Sequence, residues 1–191
     1  MCIRDSNNNG SKAGQMRAFY NNNGSWEAIG HFIGGKGAQG GQSPIQPLLQ
    51  RLKFQKSGVT FDNKYKYGEM LVEKNINLYS TCEHHLLPIV GKVHIAYISN
   101  GNVVGLSKMN RVVEYFSRRP QIQERLTEQI YHALSFILET ENVALTIDAK
   151  HFCVKSRGVE DTECSTITSR LGGNFKAHPE VRAEFLALLK M

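Results

Sequence analysis

The sequence predicts an α+β domain, an antiparallel sheet with long helices packed over one face. Three observations carry this expectation. Segments of period-two hydrophobicity come in blocks, not in strict alternation with helical segments. Two neighbouring amphipathic stretches of helical period stand between those blocks. An Asn-Gly-Asn turn joins two short apolar runs, as a hairpin requires. With 191 residues, 41% hydrophobic and 21% charged, the chain is sized for one domain with its own core.

The domain is expected to begin near Thr60. Residues 1–59 hold 10 of the 17 glycines and two copies of Asn-Asn-Asn-Gly-Ser, at Asn7–Ser11 and Asn21–Ser25. Such a composition buries too little apolar surface to offset its ordering entropy, so 1–59 is expected to be largely irregular. Residues 34–41 (GGKGAQGG) have the glycine density of a phosphate loop. They lack a Lys-Ser/Thr ending and a preceding strand, and read as linker. Only 45–56 (IQPLLQRLKFQK) shows helical periodicity there.

From 60 to 191 the elements follow in order. Apolar residues at Met70, Val72, Ile76 and Leu78 predict a strand over 70–79, and 93–98 predicts another. Asn100-Gly101-Asn102 turns that strand into Val103-Val104-Gly105-Leu106 as a hairpin. Ser107 is placed as an N-cap, with Met109, Val112, Val113 and Phe116 on one face of a helix over 108–119. Pro120 ends that helix and can open the next. The glutamine-rich segment 121–138 carries Ile122, Leu126, Ile130, Leu134 and Ile137 at spacings of three and four. Alternation over 143–154 predicts a strand whose parity puts His151 and Cys153 on one face. A strand at 165–171 and a helix at 179–189 close the domain.

Charge and composition exclude several classes. The net charge is +6, but residues 1–59 carry 7 Lys/Arg against 2 Asp/Glu, and 60–191 carry 16 against 15. No basic stripe interleaved with aromatics accompanies this, so nucleic acid is not an expected partner. No run of about 18 apolar residues exists, so no membrane span is expected. The start (MCIRDSNNNG) lacks the basic and apolar regions of a signal peptide. Four cysteines in this length point to a reducing, cytoplasmic compartment rather than a disulfide scaffold.

The chemistry concentrates in Cys82-Glu83-His84-His85 and His151-Phe152-Cys153. Cys82 and His85, two residues apart, can reach one metal from a turn at a strand end. A third ligand from a distant strand would make a three-ligand site of catalytic type, and thiolate plus imidazole is a donor set that zinc prefers. His84 and His151 are placed to act as acid or base beside it. The competing reading of each residue singly is a buried or hydrogen-bonded side chain. Cys2 and Cys164 have no such company.

These residues carry a family resemblance. The strings STCEHHLLP (80–88), GKVHIAYI (91–98), VGLSKMNRVV (104–113), RRPQIQERLTEQI (118–130), DAKHFCVKSRGV (148–159) and TSRLGGNF (168–175) resemble GTP cyclohydrolase I from about Thr60 to the C-terminus. The resemblance implies a tunnelling fold (T-fold), whose antiparallel sheets join into a barrel across subunits. It also implies a homo-oligomer, commonly a decamer, with active sites between subunits. By the same resemblance, Cys82, His85 and Cys153 hold zinc, which activates water for attack at guanine C8. His151 would protonate the ring nitrogen, His84 would assist proton movement, and Ser107 would relay a proton near the ribose. Glu124, helped by Gln123, would accept the guanine N1 and N2 donors, while Glu83 would be a substrate or supporting contact. Lys108, Arg111 and Arg157 would neutralise the triphosphate.

The implied reaction converts GTP to 7,8-dihydroneopterin triphosphate and formate, the first step of tetrahydrofolate and pterin synthesis. Lys108 and Arg111 stand in a first helical turn, where the dipole disfavours cations and favours a bound anion. Residues 1–59 depart from the family, lacking its basic Thr-Pro-x-Arg-Val-Ala-Lys-like motif. The sharp end of that mismatch is expected to mark an altered start joined to a normal domain. Two alternatives stay open, a related T-fold enzyme of pterin or deazaguanine metabolism and an inactive zinc-binding homologue.

Overall fold

The computed structural model describes residues 19–22, 25–28 and 60–191. The chain divides into two compact units, Met1–Ser43 and Pro44–Met191. In the first, β1 (Phe19–Asn22) and β2 (Ser25–Ala28) pair antiparallel with Asn22 opposite Ser25. These two strands depart from the irregular segment expected there. The two residues between them in sequence are Asn23-Gly24, the dipeptide most favoured for a two-residue hairpin connection. The 34–41 glycine run and the 45–56 periodicity lie outside the described residues.

The second unit contains β3 (Thr60–Asp62), β4 (Met70–Cys82), β5 (Pro88–Ile98), β6 (Asn102–Val104) and α1 (Leu106–Ser117). β7 (Pro120–Gln121), α2 (Gln123–Leu138), β8 (Val143–His151) and α3 (Phe152–Lys155) follow, then β9 (Thr166–Leu171), α4 (Gly173–Ala177) and α5 (Pro179–Lys190). The main sheet has the order β7-β4-β5-β8-β9. Its long strands are antiparallel, and only the short β7 lies parallel to β4. An α+β architecture with strands and helices in blocks is thus what the chain adopts.

Several local expectations change. Asn100–Asn102 does turn, with Gly101 at φ 92°, but β6 pairs with β3 rather than folding back on β5. Gly105, not Ser107, is the N-cap of α1, and Ser107 lies inside the first turn. Pro120 does not open a helix directly, because it and Gln121 first pair with Thr81 and Cys82. The strand over 143–154 stops at His151 and continues as the helical turn α3.

The largest change concerns the two faces of the sheet. Between Glu73 and Ile76 the β4–β5 register shifts by one residue, a bulge at Lys74–Asn75 opposite His94. Asn75 takes φ 65°, a conformation asparagine tolerates better than most residues, and its N–H donates to His94 Nδ1 at 3.3 Å. An extra residue reverses side-chain parity. Ile76 and Leu78 therefore join Val93, Ile95, Leu145 and Ile147 under α1 and α2. Met70 instead faces the other side, with Ala96, Ala144, Phe175 and Phe185. Helices were expected over one face only; α1 and α2 cover it, but α5 seals the opposite one through Phe185.

The bulge gives stability a pH dependence. Burial lowers the His94 pKa below its ordinary 6.5, Asp148 opposing and Lys74 and Lys92 reinforcing that shift. The folded value lies below the unfolded one, so the unfolded chain binds the proton more readily. Stability from this residue is thus complete above about pH 6.5 and lost as pH falls through the folded value. Urea midpoints measured from pH 8 to pH 5 should drop across that window, and His94→Gln should flatten the drop.

Candidate active site

Cys82 ends β4 and opens a tight turn into β5. Its N–H donates to the Leu87 carbonyl at 2.8 Å, and its own carbonyl accepts from the Leu86 N–H at 2.8 Å. Leu86 closes the turn at φ 55°, a left-handed conformation costing a non-glycine residue roughly 1–2 kcal/mol. The turn is also tied sideways. The Glu83 N–H donates to the Gln121 carbonyl at 2.9 Å, and its carboxylate pairs with Arg125. Arg125 in turn donates from Nε to Gln121 Oε1 at 3.0 Å and from Nη2 to the Pro120 carbonyl at 3.0 Å. Arg125 gave no motif signal in the sequence. Glu83, expected as a substrate or supporting contact, holds this turn through Arg125.

Cys153 arrives by a different route from the one strand parity predicts. β5 lies between β4 and β8, which sets their ends about 9.6 Å apart, two strand spacings. A straight continuation of β8 would keep Cys153 at that separation. Coiling into α3 lets its Sγ come to 3.9 Å from Cys82 Sγ. His85 Nδ1 lies 3.7 Å from Cys82 Sγ, and the three ligand atoms all lie within 4.8 Å of one another.

Both cysteines are free thiols, and 3.9 Å is far beyond a disulfide bond of about 2.05 Å. Tetrahedral zinc, with bonds of about 2.3 Å to sulfur and about 2.0 Å to nitrogen, sets S···S edges near ~3.8 Å and S···N edges near ~3.6 Å. The donor types and the two edges that meet at Cys82 therefore fit a metal such as zinc. Desolvation, then the charges of Arg157 and His84, lower the His85 pKa, which favours the neutral ring a metal needs. Desolvation, then the neighbouring Cys82, push the Cys153 thiol up. Two thiols this close disfavour a second negative charge unless a cation joins them.

The remaining expected residues divide into two groups. His84, exposed, packs edge-on to His85 with ring centroids 6.1 Å apart. His151, at the end of β8, meets Gln123 at 2.7 Å. Burial lowers its pKa, with the Glu124 charge acting the other way, so Glu124 lies in electrostatic range of it. Arg157 acts electrostatically on both His85 and Cys153. These residues form one neighbourhood.

Ser107, Lys108 and Arg111 do not join it. α1 runs alongside β4, with Asn110 near its start bonded to Glu73 and the Arg119 carbonyl just past its end accepting from Ser80. Glu73 and Cys82 stand nine residues apart on β4, on the order of 30 Å. The first turn of α1 thus lies toward the opposite end of β4 from the Cys82 cluster of the same chain.

The fold is thus a mixed α+β unit carrying a two-cysteine, one-histidine centre fit for a metal, flanked by a second imidazole. Residues 44–190 match the family model of GTP cyclohydrolase I, and the chain belongs to that family. The match begins ahead of the boundary drawn at Thr60. A Flavobacterium johnsoniae protein named GTP cyclohydrolase 1 is 65% identical over 132 residues, 69% of this chain and 59% of the relative. Its namesake from Aeromonas hydrophila is 57% identical over 129 residues, 68% of this chain and 59% of the relative. The one from Vibrio cholerae is 56% identical over 125 residues, 65% of this chain and 58% of the relative. The chain thus spans a little under three fifths of the length of these relatives. No helix among the described residues is long and apolar enough to cross a membrane.

Cys82→Ser and Cys153→Ser should each lower zinc affinity by more than about a hundredfold, since losing even a residue that only orients a ligand costs about 10–100-fold. Competition with a chromogenic chelator measures this, with Cys164→Ser as the unchanged control. Full zinc retention in Cys82→Ser would show the ligand assignment to be wrong.

Proposed function

We propose that this protein is a zinc-dependent GTP cyclohydrolase, converting GTP to 7,8-dihydroneopterin triphosphate and formate. The observation that carries this reading is the convergence of Cys82, His85 and Cys153 within 4.8 Å beside His151, in a chain of this family. Held by those three side chains, zinc would supply the Lewis acidity that makes water nucleophilic near neutral pH, its pKa brought to about 7. His151 holds a proton toward the guanine ring nitrogen released as the imidazole ring opens. His84, exposed at the turn, exchanges protons with solvent and substrate. Glu124, exposed in the first turn of α2, accepts from the guanine N1 and N2 donors.

Arg157 meets the triphosphate from the metal side. Lys108 and Arg111, with Ser107, are too remote to serve the cluster of their own chain, so we assign them to the site of a neighbouring copy. The protein then works as a homo-oligomer with sites between subunits, a decamer by the family resemblance, in the cytoplasm. Residues 60–191 would form the catalytic domain and 1–59 a separate leading segment. A second reading, an inactive zinc-binding homologue, rests on the leading residues, which lie outside the family match over 44–190.

Zinc-loaded protein incubated with GTP should yield a product that oxidises to fluorescent neopterin. A zinc-replete, assembled sample without product would sink the proposal in favour of the second reading. Shared sites have their own test. Cys153→Ser and Arg111→Ala should each abolish most activity, and co-assembly of the two variants should restore part of it. No recovery in verified mixed oligomers would mean that each site draws on a single chain.

A further inference from the structure

Gln123 has a place in this site that substrate contact does not explain. Its side chain is only 2% exposed, and its amide nitrogen faces three acceptors. These are the Ile147 carbonyl at 3.2 Å, the Thr166 carbonyl at 2.8 Å and Thr168 Oγ1 at 3.1 Å. Two of them are carbonyls that can only accept, so the nitrogen, not the oxygen, must point there. The threonines agree. Thr127 Oγ1 donates to the Gln123 backbone carbonyl at 2.8 Å. Its 2.7 Å contact with Thr168 Oγ1 is therefore donated by Thr168, which leaves that oxygen free to accept from Gln123. The two hydroxyl hydrogens thus have one consistent assignment.

With the nitrogen fixed, Gln123 Oε1 is the atom at 2.7 Å from His151 Nε2. A carbonyl oxygen accepts and cannot donate, so Nε2 must carry the hydrogen. The amide nitrogen has two hydrogens for three acceptors and none left for a ligand. We propose that Gln123 is a positioning residue that fixes His151 in the tautomer with its hydrogen on Nε2, making Nδ1 the nitrogen offered to the substrate. A proton moving between His151 and bound substrate then passes through Nδ1, while Nε2 keeps its hydrogen for Gln123. The identity of that substrate rests on the proposed GTP reaction; the tautomer rests on the hydrogen bonds alone.

The test begins with the unaltered protein. Long-range proton–nitrogen correlation on the zinc-loaded, deuterated chain with 15N-labelled histidine, assigned with a His151→Asn variant, reports which nitrogen of the neutral ring is protonated. A pyrrole-type Nε2 and a pyridine-type Nδ1 are expected; the reverse pattern, or averaged signals, would overturn the proposal. In Gln123→Met the signals should average. Its kcat for GTP should fall by about tenfold or more while KM changes by less than about threefold, as expected for lost proton-transfer geometry rather than lost binding. A raised KM at unchanged kcat would return Gln123 to guanine contact. If the unaltered protein does not turn GTP over, the proposed function fails while the spectrum still decides the tautomer. If Gln123→Met does not fold, that same wild-type spectrum remains decisive.

Discussion

The register of β4, β5 and β8 is the constraint on which the site depends. Ile89 of β5 stands opposite Ser80 on one side and His151 on the other. That row fixes the ends of β4 and β8 at the same rim of the sheet. The rim is the only place where a turn after β4 and a turn after β8 can both reach across β5. A slip of β4 by one residue would turn Ile76 and Leu78 away from α1 and α2, and a slip of β8 would do the same to Leu145 and Ile147. Each of those side chains is buried and worth about 1.5–3 kcal/mol in transfer terms. The two on one strand together amount to about 3–6 kcal/mol, a large share of the whole stability of a typical domain, about 5–15 kcal/mol. The apolar core thus sets the positions of Cys82, His85 and Cys153.

The bulge at Lys74–Asn75 is the second device, and it divides the sheet's work. Without it, β4 would present Met70, Val72, Ile76 and Leu78 to one side. With it, the first part of the strand packs against Phe175 and Phe185, and the rest packs under α1 and α2. One strand thereby serves two cores, and α5 gains an apolar face to cover. The same bulge leaves Glu73 on the α1 side, where Asn110 binds it. The anchor that aligns α1 with β4 therefore follows from the bulge as well.

Most elements were legible because their periodicity is strong. Met109, Val112, Val113 and Phe116, and Leu126, Ile130, Leu134 and Ile137, are buried as their spacing predicts. What pattern reasoning could not see was local and geometric. A bulge preserves an even spacing between Val72 and Ile76 while reversing its meaning. Cys153 was rightly grouped with Cys82, but by a strand that in fact stops two residues short. Gln123 and Thr127 sit at buried positions of α2, where polar side chains need partners. That was the available signal for the network behind His151. Arg125 left none, because the partner that gives it its role at the turn, Glu83, is remote in sequence.

The separation along β4 also bears on how a site could be completed. Lys108 lies in the first turn of α1 and Arg111 in the next, at the end where the helix dipole opposes positive charge. Among the described residues their side chains make no hydrogen bond or ion pair with an acidic partner. Cations so placed are unfavourable unless an anion approaches the same helix end. The Cys82 cluster of the same chain is on the order of 30 Å away along β4, too far to share one ligand. A second copy, set so that its cluster rim meets this helix end, satisfies both needs at once. In that arrangement the cluster rim would gain fixed positive charge for a polyanion, and the helix end would gain a negative partner. Each helix end in such an assembly would serve a neighbour, so the stiffness of the sheet between the two ends would matter as much as any residue at the site.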